Sequence, residues 1–334
     1  MRRIVIFSLL TIAGLAGCNV SEEPISRGDD PLPSWNDGAA KESITRFVAS
    51  VVDPNSATYV EPSERIAVFD NDGTLWAEQP LYFQLLFALD RVRDMAAQHP
   101  EWQEQEPFKA VLEGDREKLG QMSLHDVVPI VAATHAGMTV DEFTASVAGW
   151  LATARHPRFD QPYTQMVYQP MLELLEYLRA NEFKTFIVSG GGIDFMRVFS
   201  EDVYGIPPEQ VVGSSGVTAF ELRDGEAVLV KQPEIEFVDD KEGKPVGINR
   251  FIGRQPIAAF GNSDGDLAML QYTAAGDGPK LMVIVHHDDA EREWAYDRDS
   301  SVGHLDAALD EAQDRGWTVI SMRNDWERVF PFQP

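Results

Sequence analysis

Ile66-Ala67-Val68-Phe69-Asp70-Asn71-Asp72-Gly73-Thr74-Leu75 is an apolar run that ends in two carboxylates separated by a single residue. A short apolar segment bounded by turn formers predicts a buried strand of a parallel sheet. In open α/β sheets the ligand crevice lies beyond the carboxyl ends of the strands, which puts Asp70 and Asp72 in that crevice. Two acids this close repel one another unless a cation or a shared proton relieves them, so a divalent metal is the natural third party. Asp-Asn-Asp-Gly is also good turn chemistry, and taken alone the stretch could be an Asx turn closing a strand.

Working outward, residues 36–52 predict a helix with Ile44, Phe47, Val48 and Val51 on one face. Downstream, Leu81, Leu85, Leu89, Val92 and Ala96 recur at helical spacing. Helices are predicted at about 122–135 and 140–154, the second opened by Thr139 and Glu142 in capping-box spacing. Helix and strand then alternate, as a parallel sheet requires. Pro170 opens a helix and Phe183–Val188 is a strand; a helix follows near 193–204, then a short strand at Val211 and Val212. Phe220–Val230 pivots on Asp224-Gly225, a two-residue hairpin turn. Pro245 marks a helix start, and Ile257–Phe260, Leu281–Val285 and Trp317–Ile320 complete the sheet, with a helix over 304–315 stopped by Gly316. The expected fold is a doubly wound α/β core with an inserted all-helical cap.

The amino terminus reads as a targeting segment, with Arg2 and Arg3, an apolar run from Ile4 to Ala16, then Leu15-Ala16-Gly17-Cys18. That tetrapeptide resembles a bacterial lipobox, which implies cleavage before Cys18 and lipid attachment to its sulfur. The apolar run is too short for a transmembrane span. Cys18 is the only cysteine, so no internal disulfide can form. The expected organisation is a signal peptide over 1–17, a tether over 18–35, the core over 36–76 and 166–334, and the cap over 77–165. Asn19, where an aspartate would favour inner-membrane retention, points to outer-membrane sorting of a periplasm-facing lipoprotein. The net charge is −26, and removing residues 1–17, which hold two arginines and no acid, leaves 26 minus 54, or −28. Such a surface repels nucleic acid and anionic lipid headgroups, and any anion site must be built locally.

Three predicted strand ends carry complementary groups: Asp70 with Asp72; Ser189 with Gly190–Gly192; and Asn262 with Asp264 and Asp266. A lysine precedes the last group. In this order the chain resembles the haloacid dehalogenase superfamily of hydrolases over about residues 60–290. Asp70–Thr74 matches its first motif, Val188–Gly191 its second, Lys244 its third, and Gly261-Asn262 with Asp266-Leu267 its fourth. The Ser-Gly-Gly form of the second motif is similar to phosphoserine phosphatases.

The resemblance implies phosphoryl transfer to water from a small phosphate ester. Asp70 would attack phosphorus and form an aspartyl phosphate, and Asp72 would protonate the leaving oxygen, then take a proton from the hydrolytic water. A dehalogenase need not protonate a halide, so Asp72 argues against that chemistry. Ser189 and the NH of Gly190 would hold phosphoryl oxygens, with Thr74 and Glu78 also facing substrate. Lys244 would neutralise the phosphoryl group, its position beside Pro245 favouring it over Lys241 and Lys231. Magnesium would sit on Asp70, the main-chain carbonyl of Asp72, and Asn262 or Asp266. Asn262 departs from the family pattern, where an aspartate binds the metal; weaker binding is expected, with Asp264 available to compensate. Glu78 stands one residue short of the phosphoserine phosphatases' substrate-reading glutamate, and a surface position serves it equally well. His286-His287-Asp288-Asp289 reads as a loop in which an aspartate caps a helix bearing Glu291 and Arg292. Trp76 and Tyr82 border the expected mouth of the cap. A non-catalytic acidic lipoprotein on the same fold, or a phosphomutase, are the alternatives.

Overall fold

In the computed structural model, residues 30–115, 118, 119, 122 and 124–334 are described; the lipobox-like run and Cys18 lie outside them. Seven strands form one sheet: β1 (Ile66–Phe69), β2 (Lys184–Gly192), β3 (Val211–Arg223), β4 (Glu226–Phe237), β5 (Ala258–Gly261), β6 (Leu281–His286) and β7 (Thr318–Ser321). Their order is β4-β3-β2-β1-β5-β6-β7, and every pairing is parallel except β3 with β4. Strand order reverses at β1, which has β2 on one side and β5 on the other. That is where an open α/β sheet leaves a crevice at its carboxyl edge.

Alternation along β1 explains the layers. Ala67 and Phe69 face one apolar cluster, Ile66 and Val68 the other, and all four are buried. The first cluster packs the sheet against α1 (Ala39–Val52), through Ile44, Phe47, Val48 and Val51, and against the helix Gln169–Ala180, through Leu174, Leu175 and Leu178. Phe69 and Phe260 stack there at 4.4 Å between centroids. The opposite face is covered by the helices Leu267–Ala274 and Ala307–Arg315. Each such side chain contributes roughly 1.5–3 kcal/mol on burial, so the two clusters hold β1 rigidly beneath its acidic end. Leu32 and Trp35, assigned above to the tether, are buried in the first cluster, and Trp35 Nε1 donates to the Pro170 carbonyl.

Between β1 and β2 the chain forms helices, chiefly α2 (Phe83–Met95), α3 (Phe108–Glu113), α4 (Leu124–His135) and α5 (Val140–Thr153). Ala88, Leu89, Val92, Trp102, Phe108 and Val111 belong to a third, separate apolar cluster in this segment. The outgoing and returning chains lie side by side, Ala77 N donating to Met166 O and Tyr168 N to Leu75 O. The capping box expected at Thr139 is present, with Glu142 N on Thr139 Oγ1 at 3.1 Å and Thr139 N on Glu142 Oε2 at 2.7 Å.

Three local expectations differ. The helix expected over 193–204 is two short ones, Ile193–Met196 and Ser200–Tyr204, joined by a tighter turn that seats Phe195 and Phe199 on Trp76. No helix bears Glu291 and Arg292; Asp289 Oδ1 instead accepts from both their NH groups in a turn. The helix near Pro245 starts two residues earlier, at Gly243, which places the proline where its missing NH has no partner to lose. The hairpin turn is as expected, with Asp224 and Gly225 at φ 53° and 88°. Its strands are long, and β4 reaches the helical segment, where Lys231 N donates to Met138 O and Gly137 N to Lys231 O.

Candidate active site

Asp70 follows β1 directly, and its NH is held by the Phe260 carbonyl of β5 at 2.9 Å. The chain then turns through Asn71, whose carbonyl accepts from Thr74, Leu75 and Trp76. Gly73 sits at φ +76°, and a Cβ there would lie 2.1 Å from Asn262 Nδ2, so glycine is obligatory on two counts. This turn directs Asp70 and Asp72 into one cavity of about 450 Å³ between the sheet edge and the helices.

Lys244 is buried, 1% exposed, and its ammonium reaches Asp70 Oδ1 at 2.6 Å, Asp266 Oδ1 at 2.7 Å and the Val188 carbonyl at 2.8 Å. Those contacts hold its pKa above the ordinary lysine value despite burial. Lys241 is exposed, and Lys231 pairs with Asp194 over the Phe143 ring, so Lys244 is the lysine of the site. Burial, with Asp266 nearby, pushes the Asp70 carboxyl up to about 8 against the pull of Lys244. Burial also pushes Asp72 up to about 6, opposed by the Trp76 indole, whose Nε1 donates to Asp72 Oδ1 at 2.8 Å.

Ser189 ends the regular part of β2. Gly190 and Gly191 have no counterpart on β3, where Ser189 pairs with Gly213 and Gly192 with Ser214. This bulge brings Ser189, Gly190 and Gly191 to the cavity wall, with Gly191 NH donating to Ser189 Oγ at 3.2 Å. A Cβ on Gly191 would stand 3.6 Å from Asp72 Oδ2.

The last strand end supplies a brace. Asp266 Oδ2 accepts from the NH groups of Asn262 and Ser263, at 2.9 and 3.1 Å, while its Oδ1 faces Lys244. Asp264 does not compensate for Asn262: its carboxylate accepts from the NH groups of Asp306, Ala307 and Ala308, at the start of the helix Ala307–Arg315. Asn262 is buried between two side chains. Its Oδ1 accepts from the Thr74 hydroxyl at 3.0 Å and its Nδ2 donates to Glu78 Oε1 at 2.7 Å. Thr74 is fully buried behind this amide, so its hydroxyl braces Asn262. Glu78 is not on the surface; it is 2% exposed, lines the cavity and also accepts from Tyr296 OH at 2.8 Å. Burial raises its pKa well above the ordinary glutamate value.

Several contributors escape a motif-based reading. Gln84, from α2, accepts from Gly192 NH at 2.6 Å and ties the helical segment to the bulge of β2. Asp239, fully buried, has its carboxyl pushed up to about 7 by burial against the pull of Lys244. Their only sequence signals are a polar residue beside the leucine stripe and an Asp-Asp pair upstream of the lysine. His287 Nε2 donates to the Gly73 carbonyl at 2.8 Å with Nδ1 3.2 Å from Glu293, whereas His286 faces Asp297. The two imidazoles thus serve separate partners, and His287 pins the turn after Asp70. Trp76 packs on Phe83 and Phe199, and Tyr82 OH accepts from Gly303 NH at the cavity wall.

Three carboxylates, Asp70, Asp72 and Asp266, surround a single ammonium. That imbalance fits a hard divalent cation such as magnesium. Among the described residues no three Asp, Glu, His or Cys side chains converge as ligands, and both oxygens of Asp266 are engaged. The Asn262 amide oxygen accepts one hydrogen bond, from the Thr74 hydroxyl, and keeps a second lone pair.

Residues 67–271 match the family model of haloacid dehalogenase-like hydrolases. No curated protein matches the chain. Among solved structures it is similar to a conserved functionally unknown protein from Anaerococcus prevotii DSM 20548, at 17% identity and a TM-score of 0.53, covering 84% of this chain and 91% of that one. A protein with unknown function from Bordetella pertussis Tohama I is similar at 17% identity and a TM-score of 0.49, covering 78% and 99%. A phosphoserine phosphohydrolase-like protein from Francisella tularensis subsp. tularensis SCHU S4 is similar at 16% identity and a TM-score of 0.37, covering 67% and 88%. The Anaerococcus protein shares the fold.

Proposed function

The chain belongs to the haloacid dehalogenase-like hydrolases, and on that premise we propose that it is a magnesium-dependent phosphomonoesterase acting on a small phosphate ester through Asp70. The observation that carries this reading is the Lys244 ammonium, which holds Asp70 Oδ1 at 2.6 Å in the cavity that also receives Asp72. With Oδ1 fixed, Oδ2 of Asp70 is left to attack phosphorus in line with the departing alkoxide. The P–O bond to the alcohol breaks as the bond to Asp70 forms, and the alkoxide takes the proton of Asp72. A carboxyl pushed up to about 6 is protonated in a usable fraction just below neutrality and can release the proton, and magnesium would favour the ionised form of Asp70. Water then attacks the aspartyl phosphate, Asp72 accepts its proton, and inorganic phosphate leaves with Asp70 restored.

Ser189 and the Gly190 NH are the donors for the phosphoryl oxygens, and Lys244, its three N–H groups held by Asp70, Asp266 and Val188, contributes its charge. Magnesium, on Asp70, the Asp72 carbonyl and Asn262, would supply charge neutralisation at the transferring group. Asn262, an amide where the family resemblance implies an aspartate, is the feature that would favour a non-catalytic binding protein; Thr74 and Glu78 fix its orientation.

Purified protein lacking residues 1–17 should hydrolyse p-nitrophenyl phosphate with magnesium, and Asp70→Asn should lower kcat at least 1000-fold without lowering Tm. Equal rates in both proteins would refute the assignment of Asp70, and transfer to a sugar phosphate in preference to water would mark a phosphomutase. The amino-terminal run supports export to the bacterial envelope, periplasm-facing, with a lipid on Cys18. Cys18→Ala should release the full chain from membranes; continued sedimentation with them would contradict lipidation.

A further inference from the structure

The cavity is two-faced. At the sheet edge it is lined by the acids, Ser189 and Lys244; toward the helices its wall is mainly Leu85 and Ala88 of α2, Val127, Val128 and Val131 of α4, and Phe195, with Gln84 and His135 as its polar members. A phosphate ester with phosphorus at Asp70 has that wall available to its alcohol part, besides the β3 and β4 residues Ser214, Ser215 and Gln232 that also line the cavity. The wall offers no charge to read. Lys231, the second ammonium of the lining, is 8% exposed and already neutralised by Asp194. The described lining otherwise carries six carboxylates, among them Glu234 and Asp240. A carboxylate or a second phosphate on the alcohol would thus enter an acidic cavity with no free cation among the described lining residues, at an uncompensated desolvation cost.

We infer that the physiological substrate carries its phosphate on an uncharged, apolar alcohol, with the α2 and α4 side chains as its specificity surface. This deepens the phosphomonoesterase reading and rests on it. Burying an additional methylene against such a wall strengthens binding about fourfold. The interaction is available throughout the reaction, so it enters kcat/KM.

The experiment is a series of n-alkyl phosphates from ethyl to hexyl, with phosphoserine and a nucleoside monophosphate alongside. The expected result is a kcat/KM that climbs severalfold with each added methylene, with phosphoserine and the nucleotide at least 100-fold below hexyl phosphate. A flat or falling series, or preference for phosphoserine, would overturn the inference while leaving the phosphatase reading intact. Val131→Thr, near-isosteric, should lower the slope against chain length, whereas an equal loss at every length would count against the wall. If no ester is hydrolysed the phosphatase reading fails. Calorimetry of ethyl- and hexylphosphonate with Asp70→Asn still decides the pocket, tighter hexyl binding supporting it and equal affinities overturning it.

Discussion

Exchanging the partners across the Asn262–Glu78 contact should be tolerated, whereas changing Asn262 alone should not. Asn262 Nδ2 donates to Glu78 Oε1 at 2.7 Å, with both side chains buried. Asn262→Asp replaces that donor with a second carboxylate. The lost hydrogen bond to a charged group is worth roughly 1.5–3 kcal/mol. Two full charges at that separation would repel by about 6 kcal/mol at an effective dielectric of 20. Glu78 already binds a proton more readily than a free glutamate because of its burial, and the pair will share one, which limits the penalty. The expected net destabilisation is about 3 kcal/mol at pH 8 and about 1 kcal/mol at pH 5, where a proton is supplied at little cost. Adding Glu78→Gln puts an amide donor back opposite the new carboxylate, so the double variant should recover about 2–3 kcal/mol relative to the sum of the singles. Urea unfolding in EDTA at both pH values measures the cycle. Additivity within 0.5 kcal/mol at pH 8, or a pH-independent cost of Asn262→Asp, would show that the two side chains do not share charge. The same contact explains the departure from the family pattern, since a glutamate beside position 262 disfavours an aspartate there.

Two further outcomes follow from the shifted carboxyls. In saturating magnesium, which would keep Asp70 ionised across the range, Trp76→Phe removes the donor that stabilises ionised Asp72, so the alkaline limb of the kcat/KM profile, where Asp72 must still be protonated, should move up by about half to one pH unit. A limb that stays in place or moves down, in a variant of unchanged fold by circular dichroism, would remove Asp72 from the acid role. Asp70 and Asp72 have native pKa values raised to about 8 and about 6 from 3.8, so between about pH 4 and 8 the native state binds more protons than the unfolded chain. Metal-free stability is therefore fully present below pH 4 and is lost as pH rises through the native values, Asp72 alone accounting for about 3 kcal/mol. Magnesium, binding the ionised form, should raise Tm more at pH 8 than at pH 5; a flat metal-free profile, or equal shifts at both pH values, would contradict the shared site.

The order of strands and helices and the acids at the end of β1 were legible in the sequence because they depend on local patterns. Ile66–Phe69 is a continuous apolar run, Thr139 and Glu142 cap at a fixed spacing, and Asp224-Gly225 selects one hairpin turn. Ser189, Lys244 and Asn262 were legible as motif members by their order along the chain. Other features depend on groups distant in sequence meeting at one point, and no local pattern encodes that. Tertiary packing buried Glu78 against Asn262 and Tyr296, spent Asp264 on a helix terminus, and set Thr74 behind an amide. It also drew Leu32 and Trp35 into the core and brought Gln84 across to Gly192. Sequence alone determined which groups the sheet edge would carry, since strand period and turn chemistry act over a few residues. Only the folded chain decided which of them hold charge, which hold one another and what the cavity wall is made of, because burial and the distances between carboxylates are properties of the assembled layers.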